Sequence, residues 1–383
     1  MSKKALIAMS GGVDSSAAAF LMQQAGWDCI GATMRLYQNE DAGISREKTC
    51  CSLDDVEDAR SVAFRLGMPF YVFNFTEDFA CEVMDRFVAS YERGETPNPC
   101  IDCNRYLKFG RFYRRARELG CDCVVTGHYA RIEQGENGRW LLKRAMDTAK
   151  DQSYVLYDMT QEQLAHTRLP LGIYTKPEIR AIAEAQGFRN ARKHDSQDIC
   201  FVPDGNYADF IVRRTGKTYE PGNFVLEDGT VLGRHKGLIH YTTGQRKGLG
   251  IAYAHPLYVQ RKDLGRNEVV VGPNEALFSR DLTARDFNWI AFEAPEKEFR
   301  CTARIRYQGK EAACTVRALE GGRAEVRFDE PQRAITAGQA VVLYDGDLVL
   351  GGGTICPRQG GGPDAGKAAE LRKKPCIPGG KPL

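Results

Sequence analysis

The sequence lacks the features that would place the protein in a membrane, in a secretory pathway or among disordered chains. No run of about 18 apolar residues occurs, and the first residues, MSKKALIAMSGG, have no signal-peptide cleavage site. Hydrophobic residues make up 43% and charged residues 27% of the 383 positions, which is ordinary for a globular protein. We therefore expect a cytoplasmic protein of two or three domains with no membrane association.

A strong excess of charge of either sign is also missing. The formal net charge is +3, and residues 357–383 account for it with six basic residues against two acidic ones. A uniformly basic nucleic-acid binder is thereby excluded, although a local basic patch is not. One such patch consists of Arg105, Lys108, Arg111, Arg114, Arg115 and Arg117. A solvated helix face and a nucleic-acid contact explain this patch equally well.

Cysteine, in contrast, is plentiful. With thirteen cysteines and no secretory signal, thiol chemistry or metal binding is favoured over a disulfide framework. Cys100 and Cys103 form a CxxC, which suits a redox pair, two zinc ligands or part of an iron–sulfur site. A structural zinc site would need a second CxxC or a nearby histidine pair, and the sequence shows neither. Because a helix start and arginines follow Cys103, we expect its thiol pKa to be lowered and the residue to be a nucleophile.

Apolar runs and helical patterns alternate in the first two hundred residues. The runs at 5–9, 29–34, 70–75 and 123–126 predict buried strands, and the pattern at 56–66 predicts a helix between two of them. Strands separated by helices indicate a parallel, doubly wound sheet, which binds ligands beyond the carboxyl ends of its strands. Residues 10–16, Met34 and 126–128 all follow such strand ends. We expect these three segments to border one crevice.

The later sequence predicts further domains. A helix is indicated by Thr175 and Glu178 in capping-box spacing, with Gly187 at its end. The polar stretch NARKHDSQDICFVPDG then predicts an active-site loop, and the first domain ends at about residue 205. Short β-like runs with glycine turns predict a small α+β domain over 206–280 and a β-barrel or sandwich over 281–355. Residues 356–383 are rich in Gly, Pro and Lys and are expected to be a disordered basic tail.

The segment MSGGVDSS, at 9–16, resembles a phosphate-binding loop but has no lysine. A Walker A lysine serves chemistry at the γ-phosphate. Consecutive backbone N–H groups at a helix start, together with serine hydroxyls, suit a pyrophosphate instead. This pattern favours cleavage of ATP between its α- and β-phosphates. Asp14 has no evident cationic partner in the sequence, so we expect it to bind Mg²⁺ or to cap the turn.

Several segments together resemble the tRNA-specific 2-thiouridylase family of PP-loop ATP pyrophosphatases. They are SGGVDSS, GATMRLY, CCSLDDVEDARSVAFRLGMPFYVFNF, TPNPCIDCNRYLKFG, TGHYARI, KDQSYVLY, SQDICFV, HYTTGQRKGLGI and RAITAGQAVVLYDGD. The resemblance spans residues 4 to about 355. It implies an α/β fold: an N-terminal doubly wound parallel sheet of Rossmann-like type, a small α+β domain and a C-terminal β-barrel. The PP-loop alone would not distinguish this family from asparagine, GMP or argininosuccinate synthetases.

The resemblance implies the chemistry and the residues that perform it. ATP with Mg²⁺ would adenylate O2 of the wobble uridine in tRNAs for Lys, Glu and Gln. Cys200 would carry the incoming sulfur as a persulfide, and Cys103 would complete its transfer, after which the two can form a disulfide. The ATP-binding residues would be Ala8, Met9, Ser10, Gly11, Gly12, Val13, Asp14, Ser15, Met34 and Gly127.

The same resemblance implies macromolecular partners. Sulfur would come from a cysteine desulfurase or a sulfur relay protein. The target base, which must leave its stack to react, would contact Asn98, Pro99 and Cys100. Further tRNA contacts would be His128, Lys150, Asp151, Gln152, Arg306, Tyr307 and Gln339. The basic patch would bind RNA phosphates.

Position 100 departs from the better-described form of the family, which has aspartate there. Cys100, Cys103 and Cys200 could therefore hold a 4Fe–4S cluster that carries sulfur, as an alternative to a metal-free persulfide mechanism, which the family framework favours. Rival functions are an amide-forming PP-loop synthetase, a non-catalytic RNA-binding protein and a tRNA 2-thiocytidine enzyme. The last would be expected to carry paired CxxC motifs, and this sequence has one.

Overall fold

The computed structural model describes residues 3–37, 53–193 and 199–358. None of the helices in these ranges combines the length and the apolar character that crossing a bilayer requires. Residues 194–198 of the predicted active-site loop, which spans 190–205, and residues 359–383 of the predicted tail lie outside the described residues.

The N-terminal region is built on a parallel sheet. Its strands are β1 (Lys4–Ala8), β2 (Asp28–Arg35), β3 (Phe70–Asn74), β4 (Cys123–Val125) and β7 (Thr167–Arg168), in the order β3-β2-β1-β4-β7. Every neighbouring pair is parallel. Alternate β1 residues face different cores, since Leu6 packs into one apolar cluster and Ile7 into another. The predicted doubly wound sheet is therefore confirmed.

Helices cover both faces of this sheet. Their bounds are Val13–Gln24, Leu53–Arg65, Thr76–Phe79, Arg86–Glu92, Pro99–Asp102, Phe112–Glu118, Gln161–Ala165 and Lys176–Ala185, with π-helical stretches at Ala80–Asp85 and Cys103–Arg111 and single 3₁₀ turns at Ser153–Leu156 and Pro170–Ile173. The predicted capping box is present, because Glu178 accepts from the Thr175 backbone at 2.7 Å.

One strand differs from its prediction. We expected β3 to be buried, but Tyr71 and Val72 are 45% and 43% exposed. β3 is the edge strand of the sheet, so only one of its sides is paired and its neighbours cover it incompletely. An apolar run predicts a strand but not its place in the sheet.

The middle region contains a four-stranded sheet in the order β10-β11-β8-β9. Its strands are β8 (Asn223–Val225), β9 (Val231–Arg234), β10 (Tyr258–Asp263) and β11 (Glu268–Gly272). The helix Tyr207–Thr215 precedes them, and 3₁₀ turns occur at Leu238–His240 and Asn274–Leu277. A helix joined to a small sheet agrees with the α+β prediction.

The C-terminal region is a closed barrel. Its strands are β12 (Phe278–Trp289), β13 (Phe299–Arg304), β14 (Ala312–Leu319), β15 (Arg323–Arg333), β16 (Ala340–Asp345) and β17 (Leu348–Ile355). The long strand β12 pairs with β15 through its first half and with β17 through its second half, which closes the sheet. The structure thus selects the barrel over the sandwich.

A hairpin from the N-terminal region extends the barrel sheet. It consists of β5 (Ala130–Gln134) and β6 (Trp140–Arg144), and Lys143 of β6 pairs with Leu348 of β17. The Arg144 backbone donates to the Asp347 carbonyl at 2.8 Å. The sequence did not predict this link, which joins the barrel to the chain that follows β4.

Candidate active site

The glycine loop after β1 contains one position that only glycine suits well and a second glycine that begins a helix. Gly11 has φ +75°, and a Cβ there would lie 2.4 Å from the Asp55 carbonyl oxygen. Gly12 is the N-cap of the helix Val13–Gln24, and its carbonyl accepts from the Ser15 and Ser16 hydroxyls at 3.0 and 3.1 Å. The loop therefore folds onto a helix start, with the backbone geometry that an anion-binding turn requires.

Asp14 has a cationic partner that the sequence did not reveal. Both of its carboxylate oxygens accept from Lys176 Nζ at 2.8 Å, and the Tyr129 hydroxyl donates to Oδ1 at 2.7 Å. The expectation that Asp14 lacks such a partner is wrong. Lys176 comes from the first residue of a helix 162 positions later in the chain, and its side chain is 8% exposed. A lysine is thus present beside the loop after all, supplied from elsewhere in the fold.

Asn190 is a second loop partner that sequence reasoning missed. Its Nδ2 donates to the Gly11 carbonyl at 2.8 Å and to the Ser16 hydroxyl at 2.9 Å. Asn190 is buried and belongs to the stretch predicted to be an active-site loop. Part of that stretch therefore stabilises the glycine loop through hydrogen bonds.

The segment after β4 lies directly against the glycine loop. A Cβ on Gly127 would stand 2.9 Å from the Asp14 carbonyl carbon and from the Ser15 nitrogen. Met34, half-buried near the end of β2, packs against the apolar cluster that also contacts Cys103 and Cys200. The ends of β1, β2 and β4 hence converge, as expected for ligand binding where the strand order reverses.

His128 is held in a neutral form next to this segment. Its Nδ1 lies 2.7 Å from the Thr126 hydroxyl, and its Nε2 lies 3.4 Å from Lys108 Nζ. Burial, reinforced by the Lys108 charge, holds the His128 pKa well below its usual value. His128 therefore connects the strand-end segment to the helix that carries the CxxC cysteines.

That helix begins at the predicted target-base residues. Asn98 is its N-cap and accepts from the Cys100 backbone N–H at 3.1 Å, and Pro99 occupies the first position. Cys100 is exposed, while Cys103 is half-buried one turn further on and starts the π-helical stretch. π-Helical turns often occur at functional sites, where they alter the direction of a side chain.

The expected lowering of the Cys103 pKa is wrong. Burial raises the pKa of its thiol to about 11, and the Lys108 charge offsets only part of that increase. The helix start does not help, since Cys103 lies in the second turn rather than the first. Desolvation also raises the pKa of the Cys100 thiol.

Cys200 packs against the same apolar cluster as Cys103. Its carbonyl accepts from the Tyr37 hydroxyl at 2.6 Å, and the next residue, Phe201, is buried against Phe87 with ring centroids 5.3 Å apart. Cys103 and Cys200 both pack on the cluster formed by these rings. No bond joins their sulfur atoms, although both residues are among those described.

The donor set for an iron–sulfur cluster is not assembled in this conformation. Among the described residues, which include Cys100, Cys103 and Cys200, no three His, Cys, Asp or Glu side chains converge as metal ligands would. The three thiols therefore do not fit a cluster as they stand.

The residues predicted to contact tRNA fall into two groups. Asp151 is buried, and its Oδ1 accepts from the backbones of Ala145 and Ser153, both at 3.2 Å. The Gln152 side chain accepts from the Tyr129 backbone at 2.9 Å, and Lys150 is half-buried beside them. This group supports the turn after β6, and its contact with tRNA stays a prediction.

The second group lies on the barrel. Arg306 is exposed and donates to the Arg333 carbonyl at 2.6 Å, and Tyr307 packs on Tyr154 with centroids 5.9 Å apart. Burial raises the pKa of the Tyr307 hydroxyl, and the Asp151 and Cys100 side chains add to this increase. Gln339 donates to the Thr96 carbonyl at 2.8 Å. The barrel thus borders the predicted base site.

Members of the basic patch have acidic partners that are distant in sequence. Arg105 pairs with Asp158 at 2.9 Å, and Arg111 pairs with Asp78 at 2.9 Å. Arg114, Arg115 and Arg117 remain exposed on the helix Phe112–Glu118. The surface open to phosphates is therefore narrower than the sequence suggested.

Comparisons with known proteins assign the chain to one family. Family models described as tRNA methyl transferase HUP domain, tRNA methyl transferase PRC-barrel domain and Aminomethyltransferase beta-barrel domain match residues 3–204, 208–273 and 279–355. A Moorella thermoacetica protein is 55% identical, with 91% of this chain and 98% of that protein covered. A Clostridioides difficile protein is 50% identical, with 93% and 98% covered. Both relatives are named tRNA-specific 2-thiouridylase MnmA.

Proposed function

This chain belongs to the tRNA-specific 2-thiouridylase family, and from that premise we propose that it converts the wobble uridine of tRNA to 2-thiouridine. The observation that carries the proposal is the meeting of the glycine loop with the segment after β4, while Cys103 and Cys200 pack on a single neighbouring cluster. An ATP-activating loop and two thiols are the two components that such a reaction requires.

The first step would activate the base. A carbonyl oxygen leaves poorly, whereas AMP attached to that oxygen leaves readily. The loop residues 8–15, with Met34 and Gly127, would hold ATP so that O2 of the uridine attacks the α-phosphate and releases pyrophosphate. Mg²⁺ would neutralise phosphate charge, and Lys176 would add a fixed positive charge beside the loop. For Asp14 to bind the metal, one of its oxygens must exchange Lys176 for Mg²⁺.

The second step would transfer sulfur. A Cys200 persulfide attacks C2 of the adenylated base, which forms a C–S bond and expels AMP. The Cys103 thiolate then attacks Cys200 Sγ, breaks its bond to the transferred sulfur and leaves 2-thiouridine with a Cys103–Cys200 disulfide. An external thiol reductant restores both thiols. Because the pKa of Cys103 is about 11, a base must take its proton during this attack.

The macromolecular substrate would be tRNA for Lys, Glu or Gln. Its flipped base would lie against Asn98, Pro99 and Cys100, whose helix start is open to solvent at Cys100. A cysteine desulfurase or a relay protein would load Cys200. A cytoplasmic location follows from these partners.

The test is incubation of anaerobic protein with ATP, Mg²⁺, a cysteine desulfurase with cysteine as the persulfide donor, a thiol reductant and unmodified tRNA, followed by mass spectrometry of the nucleosides. We expect ATP-dependent 2-thiouridine at the wobble position and equimolar AMP. Bound tRNA with no ATP consumption would instead indicate an RNA-binding protein, and thiocytidine would indicate the related cytidine enzyme. An amide-forming synthetase would form no 2-thiouridine, and its ATP cleavage would be unaffected by Cys103→Ser.

The cluster alternative has its own signature. A brown iron–sulfur chromophore in anaerobically purified protein, lost in Cys100→Ser, would reverse the preference for the persulfide route. The persulfide mechanism predicts instead that the wild-type protein and Cys100→Ser are both colourless. It also predicts that Cys100→Ser still forms 2-thiouridine.

A further inference from the structure

Glu95 is a buried carboxylate at the junction of all three regions of the chain. It lies in the connection between the helix Arg86–Glu92 and the helix that starts at Pro99, and it is 5% exposed. Its Oε1 lies 2.9 Å from Arg285 of strand β12, and its Oε2 lies 3.1 Å from Arg93. A carboxylate buried to this degree is stable only when paired.

The middle region contributes a third cation. Lys262 of strand β10 donates to the Tyr241 carbonyl at 3.0 Å and lies 5.8 Å from the Tyr91 ring centre. Burial lowers the Lys262 pKa to about 8, and Glu95 is the acid that counteracts this shift. The catalytic, middle and barrel regions therefore meet in one charged group.

Thr96, the residue after Glu95, holds the backbone of this connection against the barrel. Thr96 donates through its N–H to the Ala337 carbonyl at 2.8 Å and accepts from the Gln339 side chain at 2.8 Å. Gly338, between them, has φ +87°, and a Cβ there would come within 2.8 Å of Glu95 Cβ. The barrel thus contacts residues 95 and 96 with both backbone and side chains.

A shift of the Glu95 side chain or backbone would also shift the Cys100 and Cys103 thiols. Asn98, three residues later, caps the helix whose first turns hold Cys100 and Cys103. Pro97 and Pro99 restrict the backbone between Glu95 and Cys100, so this stretch has few ways to absorb a shift. A change of Glu95 would therefore move the N-cap and, with it, both cysteines.

We propose that Glu95 is a positioning residue that uses the docked barrel and middle region to set the placement of the Asn98–Cys103 segment for sulfur transfer. This proposal rests on the function proposed above. Glu95 contacts neither the reacting base nor ATP in this scheme, and it acts through Arg285 and the Asn98 cap. Adenylation needs only the target base beside this segment, whereas thiolation also needs the Cys103 sulfur in place, so thiolation should be the more sensitive step.

The experiment compares Glu95→Gln with the wild-type enzyme in single turnover. We expect the rate of 2-thiouridine formation to fall about tenfold or more, in line with a small misplacement of reacting groups. We expect tRNA-dependent pyrophosphate release to fall several-fold less than thiolation does, so that AMP forms without matching thiolation. Arg285→Gln should give the same uncoupling, and the double variant should be no worse than either single one.

Glu325→Gln is the matched control, because it breaks the exposed Arg317–Glu325 pair on the barrel with the same substitution. It should leave both rates unchanged. Parallel loss of pyrophosphate release and thiolation in Glu95→Gln would show a merely structural role and overturn the proposal, as would an unchanged thiolation rate or additive effects in the double variant. A wild-type enzyme that forms no 2-thiouridine would contradict the proposed function itself, whatever the variants do.

Discussion

The environment of the Cys103 thiol determines when it can react. Apolar neighbours raise its pKa to about 11, so roughly one molecule in ten thousand carries the thiolate at neutral pH. A nucleophile kept protonated in this way is protected from premature oxidation. If Cys103 acts in sulfur transfer as proposed, a base must remove its proton in that step.

Alkylation of Cys103 should therefore depend steeply on pH. In a Cys100→Ser background without tRNA, the rate with iodoacetamide should rise about tenfold per pH unit between roughly pH 7 and 10, because the thiolate fraction rises in that proportion. Replacing Lys108 by methionine should lower the rate at each pH, since the Lys108 charge favours the thiolate. The rate is followed by peptide mass spectrometry. A plateau below pH 9 would contradict the burial argument.

The pairing of Lys176 with Asp14 could not be predicted from the sequence. Lys176→Met leaves the Asp14 carboxylate without its lysine partner, and Asp14 is 30% exposed, so we expect a loss of about 1–2 kcal/mol in unfolding free energy. If Lys176 supports the ATP step, tRNA-dependent pyrophosphate release should fall on the order of 10²-fold.

The control for Lys176 is Lys217→Met, which removes an exposed lysine paired with Glu92. It should change neither quantity appreciably. Pyrophosphate release at the wild-type rate in folded Lys176→Met would exclude Lys176 from the ATP step.

At the scale of secondary-structure elements, local patterns were sufficient for some predictions and insufficient for others. The apolar runs correctly predicted β1, β2 and β4, because strands covered on both faces are continuously apolar. The Thr175 capping box could also be predicted, because the two residues that form it are only three positions apart. Local patterns could not predict three other features: the pairing of the hairpin β5–β6 with the barrel, the exposure of β3 and the Asp14–Lys176 pair. Each of them depends on segments that are distant in sequence.

The contact between the glycine loop and the segment after β4 can be tested at a single position. Gly127→Ala places a Cβ 2.9 Å from backbone atoms of Asp14 and Ser15, which cannot yield without moving the loop. We expect a stability loss of about 1–3 kcal/mol and markedly weaker ATP binding, measured by calorimetry. In Gly233→Ala, where no atom lies within 4 Å of the new Cβ, ATP binding should be unaffected. Equal ATP affinity in the two variants would refute the close approach.

At the scale of the whole molecule, the barrel contacts the regions that hold the candidate site. The hairpin β5–β6 extends its sheet, Tyr307 packs on Tyr154, and Gln339 donates to the Thr96 carbonyl. Such an arrangement depends on contacts between regions, so no single motif predicts it.

The stoichiometry of one enzyme turnover tests the central claim, that two thiols serve one adenylated base. The enzyme is loaded with a Cys200 persulfide, freed of reductant and mixed with ATP, Mg²⁺ and unmodified tRNA. Mass spectrometry then counts 2-thiouridine and the Cys103–Cys200 disulfide. We predict one disulfide for each 2-thiouridine, and in Cys103→Ser a tRNA held on Cys200 through a disulfide. Released 2-thiouridine with Cys103 still reduced would contradict the account.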